Sequence, residues 1–196
     1  MTASMHRRDV VKVLLHDRKD LLVVAGLGST AWDITAVGDS PLNFPLWGAM
    51  GNAAMIGLGL ALAQPARRVL VITGDGEMLM GLGSLATIGV QRPPNLSVMV
   101  IDNERYGETG MQATHTASGV DLAKVALACG FVSARQARRL RELAGLRAAI
   151  HGAPGPHFAQ IKVVAEKLTL VLPPREGSVL KARFRKALLG DGADLD

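Results

Sequence analysis

The stretch Val69-Leu-Val-Ile-Thr-Gly-Asp-Gly-Glu77 joins an uninterrupted apolar run to a short polar turn. The same change recurs at Leu96-Ser-Val-Met-Val-Ile-Asp-Asn-Glu-Arg-Tyr-Gly107, where the apolar run ends before Asp102 and Asn103. Apolar runs of this length without alternation are typical of parallel strands that are buried on both faces. The polar residues after each run therefore predict two neighbouring loops at the carboxyl edge of a parallel sheet.

Further strands and helices are predicted on either side of this pair. Residues 21–25 and 157–164 are also apolar runs that are typical of buried strands. Amphipathic or apolar stretches predict helices over residues 9–16, 31–37, 48–63, 78–90, 121–129, 136–151 and 179–189. Strands that alternate with helices favour an α/β fold, here a three-layer αβα arrangement around a parallel sheet. Because no long linker interrupts the pattern, we expect residues 1–196 to form a single domain.

Composition excludes several classes of protein. The chain has 196 residues, a formal net charge of +5, 48% hydrophobic residues and one cysteine, Cys129. One cysteine cannot form an internal disulfide or hold an iron–sulfur cluster. Aromatic residues make up 4% and no nucleic-acid motif accompanies the arginines, so we expect no nucleic-acid partner. The absence of disulfides and of a secretory signal favours the cytoplasm.

One uncharged stretch has nearly the length of a membrane span. Residues 46–63 contain no charged side chain, but they are rich in glycine and include Asn52. A spanning helix would contain more leucine, isoleucine and valine over this length. We therefore predict a buried helix and no membrane segment.

The first loop, Gly26-Leu-Gly-Ser-Thr-Ala31, matches the G-x-G-x-x-A fingerprint of dinucleotide-binding proteins. That fold also needs an acidic residue at the end of the next strand, whereas Asp39 is followed by Ser40 and Pro41. The fingerprint alone is therefore weak. Its glycines, with the hydroxyls of Ser29 and Thr30 at a helix N-terminus, could instead hold a phosphate.

The other two loops favour a metal–diphosphate site. Asp75 and Asn103 each follow a predicted strand and supply carboxylate and amide oxygens, which suit Mg²⁺. Backbone N–H groups of Gly76, Glu77 and Met78 would face a diphosphate from the start of the next helix. Gly-Asp-Gly is also a common turn, so the motif by itself leaves both interpretations open.

Taken together, these motifs resemble a known family. The Gly74-Asp75-Gly76 turn, with Asn103 in the second loop, resembles the GDG…N signature of thiamine-diphosphate enzymes. The segment Leu46-Trp-Gly-Ala-Met-Gly51 resembles the tract beneath the cofactor in their decarboxylases. Residues 109–114 and 172–175 extend the similarity to sulfopyruvate decarboxylase β subunits and phosphonopyruvate decarboxylases. The resemblance covers residues 21–189.

The resemblance implies two cofactors, thiamine diphosphate and Mg²⁺. Asp75, Asn103 and the backbone carbonyl of Arg105 would hold the metal. The carbonyl of Gly48 would accept a hydrogen bond from the aminopyrimidine, and Met50 would wedge between the two rings of the cofactor. The whole set implied to bind the cofactor is Ser29, Thr30, Gly48, Met50, Gly74, Asp75, Gly76, Glu77, Asn103, Tyr106 and Gly107.

The loop after the metal ligands is where substrates sit in the family. His115 and Gln112 are therefore expected, with Gly48 and Met50, to contribute to catalysis. We expect the neutral donors of this loop to hold the distal anionic group of a short 2-oxoacid; they are Thr109, Gln112, Thr114, His115 and Thr116. The role of Glu108 stays open, because relatives with a catalytic acid nearby place it one residue later.

Family members also need a glutamate beside the pyrimidine ring, supplied by a separate pyrimidine-binding domain. The 196 residues leave no room for that domain, so we expect it on a partner subunit, in an α2β2 or larger assembly. The function implied is decarboxylation of a sulfopyruvate- or phosphonopyruvate-like 2-oxoacid. Two alternatives stay open, an acetolactate-synthase-like carboligase subunit and a non-catalytic scaffold that binds the cofactor. A ferredoxin-linked oxidoreductase subunit is disfavoured, because cluster cysteines are lacking.

Overall fold

The computed structural model describes residues 5–194, and its central feature within them is a parallel sheet. The strands of this sheet run in the order β2-β1-β3-β4-β8-β7, and every neighbouring pair is parallel. They are β1 Leu22–Ala25, β2 Asn43–Pro45, β3 Val69–Gly74, β4 Leu96–Asp102, β7 Ser133–Ala137 and β8 His157–Lys162. A separate antiparallel pair joins β5 Arg105–Tyr106 to β6 Gln112–Ala113. The predicted parallel sheet is confirmed.

Helices cover both faces of the sheet. They are α1 Arg7–Leu15, α2 Ser29–Gly38, α3 Ala53–Ala63, α4 Asp75–Met80, α5 Ser84–Gln91, α6 Leu122–Ala128, α7 Leu143–Gly152 and α8 Gly177–Leu189. Helices α1, α2 and α7 pack on one face and build one apolar core. The apolar side chains of α3, α5, α6 and α8 build the other core. Successive side chains of β1 point into opposite cores, so the three-layer αβα prediction is confirmed.

The apolar runs of the sequence predict neither of the two edge strands, β2 and β7. β2 has only three residues, and β7 carries Arg135, which is exposed, and Gln136, which is partly exposed. An edge strand has one neighbour and stays partly open to solvent, so it need not be an apolar run. The predicted helix over residues 136–151 is consequently wrong at its start, since β7 ends at Ala137 and α7 begins at Leu143.

Two predicted helices are also divided or shortened. The helix expected over residues 48–63 begins only at Ala53, because Ala49 and Gly51 have φ angles of 56° and 85°. A left-handed backbone cannot continue a right-handed helix. The helix expected over residues 78–90 is two helices, α4 and α5, separated at Gly81. Within residues 5–194, no helix is both long and apolar enough to cross a membrane.

A close contact between two glycines holds the loop before α3 against the end of α4. A Cβ on Gly81 would lie 1.9 Å from the carbonyl oxygen of Gly51, so only glycine allows the two backbones to approach this closely. The loop of residues 46–52 carries Gly48 and Met50. This contact therefore fixes the position of the segment that the sequence analysis assigns to the cofactor.

We predict that Gly81→Ala lowers the free energy of unfolding by about 1–3 kcal/mol, because the added methyl group overlaps the Gly51 backbone. Urea-induced unfolding measures the loss. Gly83→Ala is the matched control, since a Cβ at Gly83 meets nothing within 4 Å and its φ is −61°. Equal stability losses in the two variants would contradict the importance of the glycine contact.

Candidate active site

An open cleft lies at the carboxyl ends of β1, β3 and β4, where the sequence analysis placed the three loops. Most of the residues expected to bind the cofactor or metal line it: Ser29, Thr30, Met50, Gly74, Asp75, Gly76, Glu77, Asn103, Arg105, Tyr106 and Gly107. Gly48, Gln112 and His115 do not line it. The fold thus brings residues from four separate segments to one edge of the sheet, as parallel strands require.

Asp75 is the first residue of α4 and is only 2% exposed. Its Oδ2 accepts a hydrogen bond from Thr114 Oγ1 at 2.5 Å and lies 3.2 Å from Thr116 Oγ1. Burial, and then the nearby Asp102 carboxylate, raise the pKa of Asp75 from 3.8 to about 6, while the two threonine hydroxyls oppose this rise. A buried carboxylate whose charge is disfavoured is well suited to receive a cation.

A second buried carboxylate, that of Asp102, lies behind Asp75. Asp102 is the last residue of β4 and is fully buried. Its Oδ2 lies 2.7 Å from Lys162 Nζ on the neighbouring β8 and accepts a hydrogen bond from Gln160 Nε2 at 2.5 Å. Its Oδ1 accepts hydrogen bonds from Thr116 Oγ1 and from the backbone N–H of Glu104. The ammonium of Lys162 therefore compensates a charge that could not otherwise be buried.

The turn after β4 presents Asn103 and Arg105 to the cleft. Asn103 Oδ1 accepts a hydrogen bond from the backbone N–H of Arg105 at 2.9 Å, which fixes the side-chain amide. A carbonyl-type oxygen has a second lone pair, so Oδ1 keeps one for a ligand. Gly76 allows this turn to approach α4, because a Cβ there would lie 2.6 Å from the Tyr106 ring.

The loop after β1 lies across the cleft from this turn. Gly28 has a φ of 78° and precedes the first residue of α2, Ser29. Thr30 is buried, and its hydroxyl donates to the carbonyl oxygen of Gly26 at 2.8 Å. The Thr30 hydroxyl is therefore engaged within the loop in this structure, and its contact with phosphate stays a prediction. Ser29 also lines the cleft, so its hydroxyl and the backbone N–H groups at the start of α2 suit an anion.

Glu77 supports the two loops that flank the cleft. Its Oε2 accepts a hydrogen bond from Thr73 Oγ1 at 2.7 Å, and a Cβ on Gly26 would lie 1.7 Å from that oxygen. Burial raises the pKa of Glu77, whereas Thr73 and the backbone N–H groups of Ala53, Leu27 and Gly51 lower it. The sequence predicts only a backbone role for Glu77, whereas in the structure its carboxylate also contacts both loops.

The loop expected to hold the substrate is arranged differently from the prediction. Thr114 and Thr116 are buried, and their hydroxyls serve the carboxylates of Asp75 and Asp102, so they are not free to hold a substrate. Gln112 is exposed, with both amide atoms bonded to Thr109. His115 is exposed, whereas Thr109 lines the cleft.

Gly48 is also exposed, with open space where a Cβ would stand. Met50 lines the cleft with 58% of its surface exposed. Both residues lie on the loop that precedes α3. Within the described chain, both residues are exposed to solvent.

Arg7 also lines the cleft, although it lies on α1 and is not among the residues predicted from the sequence. Its Nε is 2.7 Å from Oδ2 of Asp33 on α2, and Arg8 Nε bonds the other oxygen of the same carboxylate at 2.9 Å. Burial raises the pKa of Asp33, and the two guanidinium groups oppose that rise. No local motif marks Arg7, because its proximity to the cleft depends on the packing of α1 against α2.

The donor set of the cleft restricts the kind of metal site it could form. Among residues 5–194, no group of three or more His, Cys, Asp or Glu side chains is placed to hold a metal ion. A cation beside Asp75 would therefore need amide, carbonyl and ligand oxygens to complete its shell. Mg²⁺ has this preference when it bridges phosphate groups.

Comparison with known proteins gives the family. Residues 28–162 match the model of the thiamine pyrophosphate enzyme, C-terminal TPP binding domain. The chain is 35% identical to the sulfopyruvate decarboxylase subunit beta of Methanothermobacter thermautotrophicus, over 97% of this chain and 99% of the relative. It is 39% identical to phosphonopyruvate decarboxylase of Streptomyces viridochromogenes, over 74% of this chain and 36% of the relative.

Solved structures of other proteins have a similar fold. Benzoylformate decarboxylase from Polynucleobacter necessarius superposes with a TM-score of 0.71 at 20% identity, over 85% of this chain and 34% of that protein. From its sequence and its fold, this chain belongs to the thiamine pyrophosphate enzymes and represents their C-terminal TPP-binding domain.

Proposed function

We propose that this chain is the diphosphate- and Mg²⁺-binding subunit of a thiamine-diphosphate-dependent decarboxylase. Its substrate would be a short 2-oxoacid of the sulfopyruvate or phosphonopyruvate type, and the enzyme would work in the cytoplasm. One observation carries most weight: the buried carboxylate of Asp75 and the fixed amide of Asn103 meet in one cleft at adjacent strand ends. The names of its relatives support the reaction and the substrate class.

The residues of the cleft fit a Mg²⁺–diphosphate group. Asp75 Oδ1 accepts no hydrogen bond from another residue within the described chain, whereas Oδ2 is held by Thr114. One carboxylate oxygen, the Asn103 oxygen and the Arg105 carbonyl would then be the protein ligands of the metal. The backbone N–H groups of Ser29 and Thr30 would contact the phosphates from across the cleft.

Bound thiamine diphosphate would accept the electron pair that a 2-oxoacid leaves behind when carbon dioxide departs. The protein contributes orientation and exclusion of water. Met50 and Met80 form an apolar rim to the cleft, with 58% and 57% of their surface exposed. A large flexible thioether side chain such as Met50 suits the wedge position between the cofactor rings.

The site requires a second polypeptide. Several relatives are named subunit beta, which implies an alpha partner. We propose that this partner carries the pyrimidine-binding domain with its glutamate, in an α2β2 or larger assembly. Trp47, Met50 and Met80 would be buried by it, since exposed apolar side chains beside a cleft favour an interface.

We predict that Asp75→Asn abolishes the rise in melting temperature that Mg²⁺ with thiamine diphosphate gives the native chain. The variant should be more stable than the native chain when both are metal-free at pH 7.5, by about 1–3 kcal/mol. The pKa of Asp75 is raised to about 6 in the folded state, so the native chain loses stability as the pH rises from about 4 to 6. Asparagine does not ionise, and the difference should disappear below about pH 4.

Asp20→Asn is the control for this experiment, because the Asp20 side chain is 75% exposed and lies outside the cleft. Its response to Mg²⁺ and thiamine diphosphate should equal that of the native chain. Retention of full cofactor affinity by Asp75→Asn would contradict the metal assignment.

We predict that the purified chain has no decarboxylase activity on any 2-oxoacid and self-associates through the exposed apolar rim. Adding a partner with a pyrimidine-binding domain should restore turnover. Activity is measured as carbon dioxide release, and association by sedimentation. Robust turnover by the isolated chain would show that the site is complete without a partner, whereas cofactor binding without turnover in the restored assembly would favour a scaffold.

We predict that His115→Ala raises KM for sulfopyruvate. The increase should correspond to about 1–3 kcal/mol of binding free energy, because a buried anion would lose one hydrogen-bond donor. His115 is exposed in the chain, so this role requires the partner to cover it. Steady-state kinetics on sulfopyruvate and on uncharged 2-oxobutyrate test the role. Equal losses on both substrates, or no loss on either, would argue against contact with the distal anion.

A further inference from the structure

Two threonine hydroxyls separate the buried carboxylates of Asp75 and Asp102. Thr114 Oγ1 lies 2.5 Å from Asp75 Oδ2, and Thr116 Oγ1 lies 2.8 Å from Asp102 Oδ1. The two hydroxyl oxygens are 2.9 Å apart. All four side chains are at most 4% exposed, so their hydrogen bonds are made within the protein.

Counting donors assigns the direction of these bonds. Each hydroxyl has one proton, and an ionised carboxylate only accepts. The shortest contact of each hydroxyl is to a different carboxylate, so Thr114 donates to Asp75 and Thr116 donates to Asp102. The Thr114 hydroxyl is therefore the main side-chain donor that holds the Asp75 carboxylate in one orientation.

Asp102 anchors the arrangement to the sheet. Asp102 and Lys162 are paired residues on neighbouring strands, and Lys162 is only 4% exposed. Its ammonium lies 2.7 Å from Asp102 Oδ2 and 2.6 Å from Glu104 Oε1. The position of Thr116 is thus tied to the rigid centre of the sheet rather than to the loop alone.

We infer that Thr114 is a positioning residue for the metal site: its hydroxyl holds Oδ2 of Asp75 and so directs Oδ1 towards the cation. The inference rests on the proposed function, because it assumes that Asp75 is a metal ligand. Hydrogen bonds to a ligating carboxylate fix its orientation, and their loss usually weakens metal binding. The same bond ties the segment of β6 and residues 114–116 to the cofactor cleft.

The experiment compares Thr114→Val with Thr114→Ser in the full chain, together with its partner subunit where cofactor binding requires one. Valine has nearly the shape of threonine but no hydroxyl, whereas serine keeps the donor. Mn²⁺ affinity in the presence of thiamine diphosphate is measured by electron paramagnetic resonance, which is independent of activity. We expect about 10- to 100-fold weaker binding in Thr114→Val and near-native binding in Thr114→Ser.

Thr35→Val is the matched control, because the Thr35 hydroxyl bonds the Ala31 carbonyl oxygen within α2 and lies outside the cleft. Its metal affinity should be native. Native affinity in Thr114→Val, or equal losses in all three variants, would overturn the positioning role. If Thr114→Val does not fold, Thr114→Ala tests the same bond, and native affinity there would also overturn it.

Failure of the proposed function would give a different result. The native chain would then bind neither Mn²⁺ nor thiamine diphosphate, with or without its partner. Native binding that Thr114→Val leaves unchanged would refute only the positioning role. Whether the native chain binds Mn²⁺ and thiamine diphosphate therefore distinguishes failure of the proposed function from failure of the positioning role.

Discussion

The burial of two carboxylates, Asp75 and Asp102, at the ends of adjacent strands is the constraint on which the cleft depends. Such charges are costly to bury unless cations and donors surround them. Lys162 and Gln160 on β8 compensate Asp102, and two threonines lie between the carboxylates. The open side of Asp75 faces the cleft, which leaves one strong acceptor for a cation.

The parallel sheet makes this arrangement geometrically simple. Strands β1, β3 and β4 end at the same edge, so each contributes a loop to one place. Close backbone contacts then bring the loops together, and they require glycine at Gly76, where Tyr106 packs, and at Gly81, where Gly51 packs. The site is therefore built from short loops whose positions follow from the rigid sheet.

The cleft is open on one side in this chain. Met50 and Met80 extend from its rim with most of their surface exposed, and Gly48 and His115 face outward. One relative named as a beta subunit matches 97% of this chain. In the proposed assembly, a second polypeptide would cover the apolar open side of the cleft, while Asp75 and Asn103 would bind the metal from this chain.

The sequence alone determined the central strands, the three-layer class and the two loops that carry Asp75 and Asn103, because apolar runs and Gly-Asp-Gly are local signals. It could not determine the edge strand β7, the breaks at Gly51 and Gly81, or the place of Arg7 in the cleft. These depend on left-handed backbone, on close approach between segments and on helix packing, none of which has a local signature. Only the tertiary structure showed that Thr114 and Thr116 serve buried carboxylates rather than a substrate. The reason is that a buried carboxylate needs hydrogen-bond donors, and the fold places the hydroxyls of Thr114 and Thr116 next to two such carboxylates.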